Sequence, residues 1–142
     1  MAAPRLVPSH LLETALYVGD LDAAEAFYGG LVGLERVARA GTRHVFFRCG
    51  PGMLLIFNPG ETRLPAPAGG LAVPAHGAAG AGHVCFAAPA EALDGWCEQL
   101  AAGGHAVEAD LRWPNGARSI YVRDPAGNSV EFAEPRLWGF AE

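Results

Sequence analysis

The alternation of apolar and polar residues predicts a β-hairpin near the end of the chain. Two short runs rich in strand-forming residues, 119–122 and 129–132, flank the segment Asp-Pro-Ala-Gly-Asn at 124–128. Asp, Pro, Gly and Asn are typical turn residues, because they set or tolerate the backbone angles that a turn requires. Alternation places Tyr121 and Glu131 on one face of the hairpin. The opposite face is apolar and is predicted to join the core: Ile120, Val122, Val130 and Phe132.

The same patterns divide the chain into two halves with one order of elements. Period-2 runs predict strands, and apolar residues at spacings of three and four predict one helix in each half. Each half is therefore predicted to be β-α-β-β-β. The predicted strands are 13–18, 34–40, 43–48 and 53–58 around a helix at 21–31, and 83–88, 105–110, 118–123 and 129–133 around a helix at 89–102.

A Pro-, Gly- and Ala-rich segment separates the two halves. We predict module 1 at about 10–59, a linker without a core of its own at about 60–81, and module 2 at about 82–135. An internal repeat of this kind usually builds one pseudo-symmetric core, so residues 10–135 are predicted to form a single domain. His76 lies within the linker, where solvent exposure is the ordinary expectation.

Parity along the strands assigns side chains to the face not covered by helices. On that face we place Glu13, His83 and Glu131, which would converge if the two faces curl together. Two carboxylates and an imidazole repel or compete unless protons or a cation intervene, and a divalent metal ion is the simplest solution. The alternative is that Glu13 and Glu131 are solvated and His83 is an ordinary strand histidine. The same parity predicts an apolar first-half wall and a polar second-half wall: Val45, Phe47, Met53, Leu55 and Phe57 against Ser119, Tyr121 and Arg123.

Composition excludes several classes of function. The net charge is −5 and no cluster of basic residues occurs, which argues against binding to nucleic acid or to an anionic membrane surface. Apolar runs are shorter than the roughly 20 residues of a membrane helix, and the N-terminus lacks the features of a signal peptide. We therefore expect a cytoplasmic protein. The three cysteines are odd in number and widely spaced, and are predicted to be buried free thiols.

Three segments resemble the vicinal oxygen chelate superfamily, which includes glyoxalases, bleomycin resistance proteins, extradiol dioxygenases and fosfomycin-resistance transferases. They are LYVGDLDAAEAFYGGLVGLE at 16–35, GHVCF at 82–86 and YVRDPAGNSVEF at 121–132. The resemblance spans about residues 10–135. It implies an α+β fold in which two βαβββ modules form a cupped mixed sheet around a divalent metal, the glyoxalase/bleomycin resistance/dioxygenase fold.

The resemblance also implies a ligand set. The positions that hold the metal in the superfamily fall on Glu13, His83 and Glu131, with Glu13 or Glu131 as candidate catalytic base. Glu13 stands where His is common, which disfavours an iron dioxygenase with two His and one carboxylate. A fourth ligand of lactoylglutathione lyases would fall near Leu55, a hydrocarbon side chain, which disfavours that activity. The expected metal is Mn, Fe, Zn, Ni or Mg.

Other residues are predicted to contact a small oxygen-rich substrate. Arg43 would bind an anionic group of the substrate, although a surface ion pair is an equal alternative. The remaining candidates line the same cup: Tyr17, Phe47, Leu55, His76 and Tyr121.

The leading hypothesis is a metal-dependent lyase, isomerase or dioxygenase of the glyoxalase-like class. The rival hypothesis is a metal-free drug- or ligand-binding protein of the bleomycin-resistance kind, and a third is a member that retains only the fold. An open sheet edge and a curled cup favour a homodimer. The sequence leaves open whether modules pair within one chain or between two.

Overall fold

The computed structural model describes residues 1–66 and 68–141 and contains two four-stranded mixed sheets. Pro67, inside the predicted linker, and Glu142 lie outside the described residues. Each module has the predicted β-α-β-β-β order, which confirms the α+β fold. The first sheet has the order β1-β4-β3-β2 and the second β5-β8-β7-β6. The strands are β1 (Glu13–Tyr17), β2 (Glu35–Ala40), β3 (His44–Cys49), β4 (Gly52–Phe57), β5 (His83–Ala87), β6 (Ala109–Arg112), β7 (Arg118–Arg123) and β8 (Ser129–Ala133).

The helices occupy the predicted positions. Helix α1 (Leu21–Glu25) begins after Asp20, whose carboxylate accepts a hydrogen bond from the Ala23 amide at 3.1 Å. It continues as a π-helical turn over Ala26–Leu31, so the predicted helix is confirmed in extent. In module 2, a 3₁₀ turn leads into α3 (Leu93–Ala102).

Strand pairing places the first strand of each module at a sheet edge. β1 runs parallel to β4 and β5 runs parallel to β8, while the other pairs are antiparallel. Parallel partners in register point their side chains to the same face, so Tyr17 lies beside Phe57, and Cys85 lies beside Glu131.

Both modules share one hydrophobic core on the helix side of the sheets. The ring of Tyr28 lies 6.3 Å from that of Phe47, and the Trp96 ring stacks on Phe132 at 4.4 Å. The face of each sheet away from this core is called here the open face. It carries Glu13, Ala15, Tyr17, Phe46, Leu55 and Phe57 in the first sheet, and His83, Cys85, Ser119, Tyr121 and Glu131 in the second.

The predicted orientation of β3 is wrong. Val45 and Phe47 were expected on the open face but are fully buried in the core, whereas Phe46 points the other way. The reason is the hairpin register, which pairs Cys49 with Gly52 and therefore Phe47 with the core residue Leu54. Phe47 consequently does not line the predicted substrate site.

Two further differences concern the linker and β6. The linker begins with a helical turn, α2 (Pro59–Thr62), capped by the side chain of Asn58 and ending in a buried Thr62. The weak strand predicted at 105–110 lies instead at Ala109–Arg112. The residues before it are tied by single hydrogen bonds, such as that from the Glu108 amide to the Tyr121 carbonyl at 2.7 Å, and do not form a ladder.

The predicted turn at 124–128 joins the two modules. Asn128 accepts a hydrogen bond from the Gly82 amide at 2.7 Å and donates one to the Tyr17 carbonyl at 3.2 Å. The Tyr28 hydroxyl donates to Asp124 at 2.7 Å, and both side chains are buried. Burial, and then the charge of Asp124, raise the pKa of Tyr28, so the phenol remains a donor. The turn therefore fixes the position of module 2 against β1 and α1.

Candidate active site

His83 and Glu131 come together on the open face of the second sheet. His83 opens β5 and pairs with Ser129, and Glu131 lies in the middle of β8, two residues beyond Ser129. The His83 Nε2 atom lies 3.2 Å from Glu131 Oε1. The two side chains differ in environment, because 51% of the His83 side chain is exposed but only 7% of the Glu131 side chain.

The hydrogen bonding of His83 fits a metal ligand. Its Nδ1 atom lies 3.1 Å from the Ser129 carbonyl oxygen, which can only accept, so Nδ1 carries a proton. In the neutral imidazole, Nε2 then presents a lone pair toward the Glu131 carboxylate. Two electron-rich atoms at this distance require a proton or a cation between them. Metal-binding histidines commonly donate their second ring N–H to a backbone carbonyl in this way.

The second carboxylate oxygen of Glu131, Oε2, accepts a hydrogen bond from a buried side chain. Ser119, which is fully buried, donates to Glu131 Oε2 at 2.6 Å. The Trp113 indole N–H in turn donates to the Ser119 hydroxyl at 2.8 Å. Glu131 therefore has one oxygen fixed by a hydroxyl and one oxygen aimed at His83.

Two other ionisable side chains adjoin Glu131. Tyr121 faces it directly across the β7–β8 pair, and burial followed by the carboxylate of Glu131 raises the Tyr121 pKa to about 12. Cys85 is exposed as a residue, but burial of its thiol, with the charge of Glu131 added, raises its pKa to about 12. Both groups therefore stay protonated at neutral pH. All three cysteines are free as predicted, but the prediction that they are buried is wrong, because Cys85 is exposed and Cys49 and Cys97 are only half-buried.

Glu13 does not complete the pair within the chain. It is exposed at the start of β1, at the edge of the first sheet. Within residues 1–66 and 68–141, no three His, Cys, Asp or Glu side chains are arranged so that they would hold a metal ion together. The structure thus joins two of the three predicted ligands and leaves the third apart.

His76 is fixed on the open face of the first sheet. Its Nδ1 atom lies 2.7 Å from the Tyr17 hydroxyl, and its ring meets Phe57 edge-on at 4.6 Å. Its backbone amide donates to the Thr62 carbonyl at 2.9 Å. The expectation that His76 is a solvated linker residue is therefore wrong.

Arg43 lies beside the same aromatic group. Its guanidinium carbon lies 5.9 Å from the Phe57 ring centre, and its Nη1 donates to His44 Nδ1 at 2.8 Å. The pKa of His44 is lowered by burial and then by Arg43, which keeps this imidazole neutral. Six other arginines form ion pairs with Asp or Glu, whereas partly buried Arg43 has no carboxylate partner among the described residues.

A small cavity connects the two modules. Its volume is about 170 Å³, and it lies between Tyr17 of β1 and His83 of β5, with residues 78–82 along one side. Leu55 lies on the open face, where it pairs with Ala15 of β1 and with Phe46 of β3. Its side chain is a hydrocarbon and cannot bind a metal.

Sequence reasoning missed the roles of Ser119 and Trp113 beside Glu131. Ser119 was placed on the correct face, and its pairing with Ala133 puts it diagonal to Glu131, within reach of a short side chain. Trp113 follows β6 in a loop, and no periodicity predicts where its indole points.

Comparison with known proteins assigns the family. The profile described as Glyoxalase/Bleomycin resistance protein/Dioxygenase superfamily matches residues 10–132. The chain belongs to this superfamily. No match was found among curated protein sequences. Within the described residues, no helix has the length and apolar character needed to cross a bilayer.

Solved structures support the same assignment. A lactoylglutathione lyase from Agrobacterium tumefaciens is 50% identical, with a TM-score of 0.88 over 94% of this chain and 98% of that chain. A glyoxalase/bleomycin resistance protein/dioxygenase from Nocardioides is 21% identical, with a TM-score of 0.70 over 92% and 85%. A variant of the fosfomycin resistance protein FosX from Listeria monocytogenes, in complex with Mn(II) and dihydroxypropylphosphonic acid, is 22% identical, with a TM-score of 0.66 over 89% and 90%.

The superfamily member described here is a glyoxalase-like lyase, given its 50% identity to a lyase over nearly the whole chain. Leu55 led us to expect a departure from lactoylglutathione lyases. The similarity to a structure of that name does not support this expectation.

Proposed function

We propose that the protein is a divalent-metal-dependent lyase that acts on a small oxygen-rich substrate, with His83 and Glu131 as two ligands of the metal. The observation that carries this proposal is the contact between Nε2 and Oε1 at 3.2 Å, with Nδ1 engaged by a backbone carbonyl. The FosX complex contains Mn(II), which supports a divalent metal in this fold. The candidates are Mn, Fe, Zn, Ni and Mg.

The metal would supply Lewis-acid chemistry by polarising substrate oxygens and stabilising the negative charge that develops on them. The protein supplies the remaining functions. The polar open face of the second sheet orients the substrate through Tyr121, whose phenol stays a hydrogen-bond donor. Glu131 and Glu13 are the carboxylates available to accept a proton, with Glu131 held in a buried position and Glu13 exposed.

We further propose that Glu13 reaches the site from a second copy of the chain in a homodimer. Glu13 lies on an exposed edge strand and does not join His83 and Glu131 within its own chain. An edge strand with unpaired backbone groups favours association. In a symmetric dimer each of two sites would then combine Glu13 of one copy with the His83–Glu131 pair of the other.

Mixing inactive variants tests this arrangement. Glu13→Ala and Glu131→Ala proteins should each bind little metal alone. After co-expression, about half of the dimers are mixed, and each mixed dimer has one intact site, so metal content should recover to about one quarter of wild type. The control is a mixture of His83→Ala and Glu131→Ala, which change the same side of the site and should not recover. No recovery in the first mixture would contradict a shared site.

The open face of the first sheet would bind the rest of the substrate. Tyr17 and His76 present a hydrogen-bonded pair, and Leu55 a methyl surface, next to the aromatic ring of Phe57. Arg43 is partly buried and pairs with no carboxylate in the described part of the chain, so it is suited to an anionic group of the substrate. Lactoylglutathione, named for the Agrobacterium relative, carries carboxylates and is the first compound to assay.

Replacing Arg43 should weaken substrate binding selectively. We expect Arg43→Gln to raise KM for lactoylglutathione by about 10-fold or more with little change in kcat, since a hydrogen bond to a charged group is worth about 1.5–3 kcal/mol. Steady-state kinetics measure both constants. Arg48→Gln, near the end of β3 and with a side chain that is 56% exposed, is the control. An unchanged KM would show that Arg43 does not bind substrate.

Metal content tests the function itself. Protein purified without chelator should contain close to one equivalent of a divalent metal per chain, and dialysis against chelator should abolish lyase activity until metal is restored. Less than about a tenth of an equivalent, with no binding on titration, would defeat the proposal and favour a metal-free ligand-binding protein.

A further inference from the structure

Two consecutive hydrogen bonds connect Glu131 to a tryptophan at the protein surface. Trp113, which is 36% exposed, donates to Ser119 at 2.8 Å, and Ser119 donates to Glu131 Oε2 at 2.6 Å. The two acceptors are fully or largely buried.

The direction of both bonds is fixed by chemistry. An indole N–H can only donate, so the Ser119 oxygen must accept from Trp113. The Ser119 proton is then directed at Glu131, and no rotation of the hydroxyl satisfies both neighbours in any other way. With the Ser119 proton directed at it, Glu131 Oε2 accepts this hydrogen bond, and Oε1 is the oxygen that faces His83.

The loop that carries Trp113 does not need its indole N–H. Its backbone is closed by hydrogen bonds from the Trp113 amide to the Ala117 carbonyl and from the Gly116 amide to the Trp113 carbonyl, both at 2.8 Å. The indole N–H is therefore committed to Ser119 alone, and the loop retains its own support if that donor is removed.

We propose that Ser119 and Trp113 are positioning residues that set the orientation of Glu131 as a metal ligand. This inference rests on the proposed function. The two residues do not touch the metal or the substrate in this role. Donors behind a ligating carboxylate fix its geometry, and their removal typically weakens metal binding by about 10- to 100-fold.

Metal affinity separates this role from a merely structural one. We expect Ser119→Ala to weaken Zn²⁺ and Mn²⁺ binding by about 10-fold or more, and Trp113→Phe, which keeps a ring but removes the donor, by about threefold. Calorimetric titration of the metal-free full-length chain measures Kd for each metal. Trp138→Phe, at a Trp that is 77% exposed, is the matched control and should bind both metals with wild-type affinity.

Fluorescence gives a second readout. Because the Trp113 indole is two hydrogen bonds from the metal ligand, Zn²⁺ addition should change its emission. The change should persist in Trp138→Phe and disappear in Trp113→Phe. Circular dichroism and melting temperature establish that each variant is folded, and Trp113→Phe supplies the test if Ser119→Ala does not fold.

The titrations distinguish a failure of the positioning role from a failure of the proposed metal-dependent function. If the wild-type chain binds none of the five candidate metals, the proposed function fails and this inference falls with it. If wild type binds metal but Ser119→Ala and Trp113→Phe bind it with unchanged Kd, the positioning role is wrong and the proposed function stands.

Discussion

Replacement of His83 by alanine is expected to reduce lyase activity by about 10³-fold, because loss of a ligand removes Lewis-acid stabilisation worth several kcal/mol. The same variant should retain less than about a tenth of an equivalent of metal. Its fold should persist, since half of the His83 side chain is exposed. Metal analysis of the purified variant and turnover of lactoylglutathione measure the two effects.

A matched histidine provides the control. His105 also places Nδ1 against a backbone carbonyl, that of Arg123 at 2.9 Å, but among the residues that the structure describes no carboxylate faces its other nitrogen at the distance seen for His83. His105→Ala should keep wild-type metal content. Glu131→Ala should lose metal as His83→Ala does, with an added loss of stability because the Ser119 proton is left without its acceptor. Retention of metal by either site variant would contradict the assignment.

Replacement of Asp124 by alanine is expected to lower the free energy of unfolding by about 3–5 kcal/mol, because it leaves several buried donors without an acceptor. Oδ1 accepts from the amides of Ala126 and Asn128, at 2.9 and 2.8 Å. Oδ2 accepts from the Asn128 side chain at 2.9 Å and from the Tyr28 hydroxyl at 2.7 Å. Loss of this carboxylate loosens both the turn and the contact between modules.

Urea denaturation followed by circular dichroism measures this loss. Tyr28→Phe removes one of the four donors and should cost about 1–2 kcal/mol. Glu35→Ala, at an ion pair with Arg48 in which both side chains are more than half exposed, should cost less than about 1 kcal/mol. If Asp124→Ala costs no more than the surface variant, the turn does not join the modules as described.

The fold was predictable because its local signals agree. Turn residues at 124–128 and alternation in the flanking strands predict the last hairpin and its core face, and the structure confirms both. The same alternation could not orient β3, because Phe46 and Phe47 are adjacent. Either orientation of the strand places one phenylalanine in the core. Paired residues of a hairpin share a face, so the placement of Leu54 in the core, combined with the register of the turn, would have placed Phe47 there too.

The positions of two of the three predicted ligands were predictable in the same way. His83 and Glu131 lie on neighbouring strands of one sheet, where parity decides the face and register decides the distance. Glu13 lies in the other sheet, and its distance from this pair depends on how modules or chains associate, which no local pattern encodes. His76 was misjudged because its position depends on single long-range contacts with Thr62 and Tyr17.

Anomalous diffraction at the absorption edge of the metal found in the purified protein is the most direct test of the account. Crystals grown without chelator should show one peak per site, within about 2.0–2.3 Å of His83 Nε2 and of a Glu131 carboxylate oxygen. Absence of a peak in metal-supplemented crystals, or a peak bound by other residues with His83 and Glu131 still in direct contact, would contradict the assignment of this pair as metal ligands.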